Sequence, residues 1–437
     1  MPISNIYKNI VKLGFVVFFF LMPFQIRTLV YAPNLYDGGF FDPYTSVFIY
    51  LNDIVLLTTL FVLALLLIFK PKGFGKFSIG NFWVFTLFVF LCLSAFASAL
   101  YAQNPYVSIF YAVRLCEFLI IYLVVVNKVI SLDLIMKSFI FSMMISSFIG
   151  IFQYVFQSSL GFGFLGEPVL SAAMKGIAKV DIGDNSILRA YGTFSHPNLF
   201  AGYLIFAIFF ALYQFIKIKN SGLKVLFISC MIVFGLAFLV AFSRTAFLAL
   251  FAAFVVFYIV SDKKIVWKYL IPVLACLILF IVSFEYLDVF KSRIDLSSDS
   301  ALTEREMFIK ISKKMFLAKP WGVGASNFTY SEQDYSSEKL MPWLKQPVHN
   351  TYFLMFNEQG IYGGILYVFF ILYILLALSK SLKEESDKDL KYLLIALWMP
   401  VFLVGFLDHY YVSLYSGQLL FYLFVAFAGT VSVKKVL

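Results

Sequence analysis

The sequence predicts an all-α polytopic membrane protein of about twelve transmembrane helices, with two long loops on one face. Three observations lead there. The chain is 62% hydrophobic and only 13% charged, whereas a water-soluble domain is about a quarter charged. Apolar runs of roughly twenty residues recur from end to end, each long enough to cross ~30 Å of hydrocarbon as a helix. Among the short connections between those runs, lysine falls on alternate ones, the positive-inside pattern of a membrane protein.

Taken in order, the spans fall near residues 10–31, 46–69, 81–101, 107–127, 134–157, 197–217, 223–242, 245–260, 265–285, 350–378, 391–407 and 414–433. Lys8 and Lys12 precede the first run, and Met22-Pro23-Phe24-Gln25 stands where a signal peptide would end in a small-x-small cleavage site. The run therefore reads as an uncleaved first span. The apolar stretch 223–260 is divided at Ser243-Arg244, because one helix of that length overshoots a single crossing. The chain thus organises as spans 1–5 over 1–157, a first outer loop over 158–195, spans 6–9 over 196–285, a large outer loop over 286–349 and spans 10–12 over 350–437. The first loop is Gly-rich and reads as irregular. In the second, Thr303-Glu-Arg-Glu306 reads as a capping box. Phe308, Ile309, Ile311, Met315 and Phe316 follow at helical spacing, which predicts an amphipathic helix over 303–317. Such a helix serves as a lid even if it has no chemical role.

With the N-terminus inside, the inner loops 70–80, 127–133, 217–224, 261–268 and 379–391 are rich in lysine, and the short outer turns 32–45, 102–106 and 408–413 contain no Lys or Arg. The net charge of +10 follows from that topology and from anionic headgroups. It does not indicate nucleic acid, for which no soluble basic domain exists. Cys92, Cys116, Cys230 and Cys276 all lie in apolar runs, so neither a disulfide framework nor metal-ligand spacing is expected.

The six arginines, Arg27, Arg114, Arg189, Arg244, Arg293 and Arg305, all fall on outer loops or outer halves of spans. A guanidinium grips phosphate oxygens bidentately, where lysine offers a point charge. Arginines converging at the outer leaflet would hold a diphosphate. Arg114, with Glu117 one turn deeper, reads equally as a structural ion pair, and Arg293 as an interface residue. His349 sits where the large loop becomes a membrane helix, beside Asn350. A neutral imidazole there can take a proton from a hydroxyl near neutral pH. His196, in His-Pro-Asn at a span entrance, is the rival base or a helix cap, and His409 beside Asp408 on a short turn reads as an interface residue.

Three segments carry a resemblance to a known family. They are Arg189-Ala-Tyr-Gly-Thr-Phe-Ser-His-Pro-Asn198, Ser243-Arg244-Thr-Ala-Phe-Leu-Ala-Leu250, and Arg305 with Ala318-Lys-Pro-Trp-Gly-Val-Gly324, His349-Asn350-Thr-Tyr352 and Glu358-Gln-Gly360. In order and spacing they resemble the O-antigen ligase and O-antigen polymerase superfamily. The resemblance implies a metal-independent, GT-C-like glycosyltransferase of the bacterial plasma (inner) membrane, with its active site on the outer face. Such enzymes take a saccharide from an undecaprenyl diphosphate carrier and pass it to a lipid A core, a growing glycan or a protein. It implies His349 as the catalytic histidine and Arg244 and Arg305 as diphosphate-binding residues, with Arg189 near and Arg27 by position. Asn350, His196 and Arg114 are auxiliary candidates. No cofactor is expected, and the outer loops hold no Asp-x-Asp cluster for a metal. A flippase or transporter of lipid-linked saccharide is the competing class. It would show charged or broken helices near the midplane.

The lysine pattern makes a direct prediction. Ser297→Cys is labelled by impermeant reagents from outside, and Lys388→Cys only after the inner face is opened. The reverse labelling would overturn the topology.

Overall fold

The computed structural model describes residues 3–32, 43–69, 77–174, 176–182, 185–261 and 300–432. The expected span near 265–285 lies outside them, as do Cys276 and Arg293. The other expected spans are helices: α1 (Ile3–Leu21), α2 (Leu51–Phe69), α3 (Phe82–Ser98), α4 (Pro105–Val126), α5 (Leu132–Phe156), α6 (Pro197–Lys217), α7 (Ser221–Val240) and α8 (Arg244–Val260). After α9 (Ser300–Ala318) and α10 (Phe328–Tyr335) come α11 (Thr351–Ser381), α12 (Lys388–Leu407), the single turn α13 (Tyr410–Ser413) and α14 (Tyr415–Val431). Seven of these helices are long and apolar enough to cross a membrane, and three shorter ones are apolar as well. The protein is an all-α polytopic membrane protein.

Two helices form its centre. α6 is buried from Pro197 to Phe215 and α14 from Tyr415 to Gly429. A helix apolar all round belongs in a core of other helices. The two interlock through Phe206 on Phe424, Phe210 stacked on Phe427 at 5.6 Å, and the Tyr203 hydroxyl, which donates to the Ser416 carbonyl at 2.6 Å. At one end of the bundle Lys217, closing α6, pairs with Asp387 ahead of α12 at 2.8 Å. At the same end Asn127, after α4, exchanges hydrogen bonds with Ser78, ahead of α3. At the opposite end the entrances to α6, α8 and α11 meet the exit of α12.

Several boundaries differ from expectation. The first span ends at Leu21, because Pro23 has no N–H and its ring blocks the helix; Phe24 N closes a turn on the Leu21 carbonyl at 2.9 Å. Arg27–Tyr31 is instead strand β1. It pairs antiparallel with β2 (Val47–Tyr50), Arg27 opposite Tyr50. The first outer loop is not wholly irregular: β3 (Lys179–Ile182) and β4 (Asn185–Leu188) form a hairpin. Glu167 ties the rest of that loop by accepting the N–H groups of Leu160 and Phe162, both at 2.7 Å. The division at Ser243 is observed. Phe242 turns left-handed at φ 46°, and the Ser243 hydroxyl accepts Ala246 N as the cap of α8.

The amphipathic helix α9 is already under way at Thr303, so that residue lies in its first turns and is not the cap. Its buried face is Phe308, Ile311 and Met315, and Lys310, Lys313 and Lys314 are exposed. Ser312 on that face accepts the Asn357 amide at 2.6 Å, and Phe316 packs edge-on against Phe356, which seats α9 on α11.

α11 is broken at Gly360, where φ 70° and ψ −172° are open only to glycine. The break fits the bilayer. The whole helix would be roughly 46 Å long, and the part beyond Gly360 is roughly 31 Å, one hydrocarbon thickness. The connection Lys319–Asn327 plugs into the break. Val323 N and Gly324 N donate to the Asn357 and Glu358 carbonyls at 2.9 Å, Ile361 N donates to the Pro320 carbonyl at 3.0 Å, and the Glu358 carboxylate accepts Ser326 N at 2.8 Å. A side chain at Gly322 would meet the Glu358 carbonyl, and one at Gly360 the Trp321 carbonyl. The Trp-Gly-Val-Gly and Glu-Gln-Gly segments are therefore two halves of one clip, which holds α9 in place over α11. Gly360→Ala puts a side chain into that carbonyl and a residue into a glycine-only conformation. About 1–3 kcal/mol of strain should lower the melting temperature of purified protein by several degrees, and an unchanged melt would contradict the clip.

Candidate active site at the ends of four helices

The site is built around a carboxylate. α12 stops at Leu407 and the chain turns extended at Asp408, which is 4% exposed. Its Oδ1 accepts the N–H of His409 at 2.8 Å and its Oδ2 accepts the Asn198 amide at 2.8 Å. Its carbonyl receives Thr351 N at 3.2 Å and Thr351 Oγ1 at 2.9 Å, which pins the start of α11. His349, two residues earlier, thereby has its Nδ1 held 3.8 Å from Asp408 Oδ1. That is ion-pair distance and too long for a hydrogen bond.

The chain has three histidines, and all converge here. The His409 ring lies 5.0 Å from that of His349, edge-on to Tyr44, with Nδ1 2.5 Å from the Ser413 hydroxyl. His196 caps α6, its Nδ1 accepting Asn198 N at 3.1 Å, so the ring proton of the neutral form sits on Nε2. The remaining polar link is Asn198 itself. Its Oδ1 accepts both Arg189 Nη2 at 2.8 Å and Ser243 Oγ at 2.9 Å. Arg189 Nε also donates to the Ala241 carbonyl at 2.8 Å.

Electrostatics separates the three imidazoles. Burial, reinforced by Arg189, pushes His196 down to about 3. Burial and the neighbouring His349 push His409 down to about 3 as well. Both are neutral at physiological pH. Burial alone would raise the Asp408 carboxyl, but the histidines around it, His349 foremost, hold it well below the usual carboxylate range. His349 is the histidine that sits 3.8 Å from this carboxylate while retaining 16% of its side-chain surface. Asn350 is the cap of α11: its Oδ1 accepts Phe353 N at 2.9 Å, and its amide reaches the Phe406 carbonyl. His349 is thus not needed to start the helix.

Of the arginines expected at the site, Arg305 on α9 bears on both His196 and His409 by its charge. Arg244, first residue of α8, follows the Ser243 that holds Asn198. Both are partly exposed. Arg189 is at the site but 5% exposed, behind Asn198. Arg27 lies on β1 with its guanidinium 4.0 Å over the Phe48 ring and bonded to the Tyr50 hydroxyl. Arg114 belongs to a separate buried network with Glu117 at 2.7 Å, Asp53 and the Phe48 carbonyl, with Tyr415 also on Asp53. That is the structural ion pair. Asp408, His409 and Asn198 are the residues that sequence reasoning passed over, and His409 is buried at the centre and not an interface residue. One signal was present: Asp408 is the only acidic residue after Asp389, and a histidine adjoins it.

The ligand atoms of His349, Asp408 and His409 lie within 4.8 Å of one another, a spacing from which a divalent ion could draw them in. The charge of Arg305, which already disfavours the protonated form of His409, opposes a further cation there. The group is better suited to holding and moving a proton.

A protein-family profile described as O-antigen ligase matches residues 228–368. The match takes in Ser243, Arg244, Arg305, the glycine clip and His349; Asn198, Asp408 and His409 enter the site from outside it. A search among curated proteins finds no match. Over residues 228–368 the chain is similar to the O-antigen ligase family.

Proposed function

We propose that the protein transfers a glycan from an undecaprenyl diphosphate-linked donor to an acceptor hydroxyl at the outer face of the bacterial plasma membrane, without a metal. The observation that carries this reading is His349: partly open, released from helix capping, and facing the Asp408 carboxylate at 3.8 Å. A proton on Nδ1 turned towards Asp408 leaves Nε2 to accept the acceptor's proton. The acceptor oxygen then bonds to the anomeric carbon of the donor sugar as the bond from that carbon to the diphosphate oxygen breaks. Charge grows on the leaving diphosphate, and Arg244 and Arg305 stabilise it there by bidentate hydrogen bonds. The imidazolium returns its proton to solvent once the carrier has left.

His196 fits the base role less well, since its Nδ1 is taken by Asn198 N. A lipid A core as acceptor makes the reaction a ligation, and a growing glycan makes it a polymerisation; the same residues serve both. A transporter of the same lipid-linked saccharide would use the arginines and have no need of the base. α11 is broken, as a transporter helix can be, but its buried Glu358 is engaged by backbone N–H groups of the outer loop.

His349→Asn separates these readings. The variant should insert and bind lipid-linked donor normally, with transfer lowered about 10²–10⁴-fold, the worth of general-base catalysis. Arg244→Lys with Arg305→Lys keeps the charge and loses the forks, and should weaken donor use as well as turnover. Near-normal transfer by His349→Asn would remove the base.

A further inference from the structure

We propose that Asn198 is a positioning residue for the transfer reaction, joining the donor-side turn at Ser243-Arg244 to the His349–Asp408 pair. The inference rests on the reading of His349 as base. Asn198 is 8% exposed in the first turn of α6. Its orientation is set by its partners: Arg189 can only donate and the Asp408 carboxylate can only accept, so the amide oxygen must face the arginine and the amide nitrogen the carboxylate. The oxygen also receives the Ser243 hydroxyl, which at the same time caps α8 directly ahead of Arg244. One side chain therefore contacts three segments: the Arg189 strap, the α7–α8 turn and the exit of α12.

The consequence is mechanical as well as electrostatic. A shift of the α8 entrance, such as a diphosphate gripped by Arg244 would cause, reaches Asp408 through two hydrogen bonds of 2.9 and 2.8 Å. Asn198 on Oδ2 and the His409 N–H on Oδ1 together set the carboxylate's orientation, with Oδ1 3.8 Å from His349 Nδ1. An asparagine serving only as a helix residue would need none of these three partners.

Asn198→Asp is the sharpest test. It keeps an oxygen for Arg189 and Ser243 and replaces the N–H facing Asp408 by a second carboxylate oxygen. The titratable groups coupled to His349 are Asp408, His409 and His196, and the charges of Arg189 and Arg305 act on His196 and that of Arg305 on His409 as well. Two buried carboxylates facing each other at hydrogen-bond distance share one proton, which changes the charge that Asp408 presents to His349. With only three histidines, the imidazoles can be isotope-labelled and assigned by single His→Asn variants. In Asn198→Asp the His349 titration should be displaced from that of the parent protein, the acid limb of the transfer rate should move with it, and kcat at neutral pH should fall at least tenfold with the donor KM within about twofold. Asn198→Ala, should the aspartate variant not fold, lowers kcat and leaves the titration in place. The titration is read whether or not His349 catalyses. An unmoved His349 signal with unchanged transfer, in protein where His349→Asn is inactive, overturns the role of Asn198 and leaves the base standing. A moved signal with unimpaired transfer overturns the role of Asn198 in the reaction together with the reading of His349 as base.

Discussion

A buried carboxylate has to be compensated, and most of this site follows from how Asp408 is. An ionised carboxylate removed from water costs several kcal/mol unless hydrogen bonds and charge replace its hydration. Asp408 draws in an amide from α6, its own neighbour's N–H and a histidine from the entrance of α11, while its carbonyl holds Thr351. Three helix ends, those of α6, α11 and α12, are fixed against one another by one residue, and Asn198 joins the entrance of α8 to them. His349 is held beside a charge that can orient its proton.

The second constraint acts on α9. A lid helix on a loop could occupy many positions, but the connection behind it is locked into the break in α11 through three backbone hydrogen bonds and glycines at positive φ. Arg305 is thereby brought to bear on the histidines, although more than forty residues separate it from His349. Arg244 arrives by a different route, on the cap of α8. The two guanidiniums belong to elements anchored independently, one by the clip and one by Ser243 and Asn198.

The helices were legible because a lipid-crossing segment must be apolar throughout, a property local to the sequence. α6 fell on its expected residues, and the split at Ser243 followed from length alone. What failed was whatever depends on partners far away. Arg27–Tyr31 reads as the end of a helix until β2 is there to pair with it. Asp408 and His409, on a turn of a few residues, carry no periodic signal, and their burial is created by α6 and α11. His349, Arg244 and Arg305 were singled out by position at a membrane boundary and by a spaced set of motifs. Asn198 stood inside one of those motifs, but its role needed the three partners in view. The resemblance supplied the residues and the geometry supplied their connections.

The central claim is that Asp408 makes His349 a base, and single-turnover transfer by Asp408→Asn measures it most directly. The substitution removes the charge while leaving the arginines, the cap at Asn350 and the volume of the side chain. With purified variant and saturating lipid-linked donor, donor binding should stay near that of the parent protein and the chemical step should slow by about two orders of magnitude or more. A chemical step within a few-fold of the parent's, in protein that binds donor normally, would contradict it.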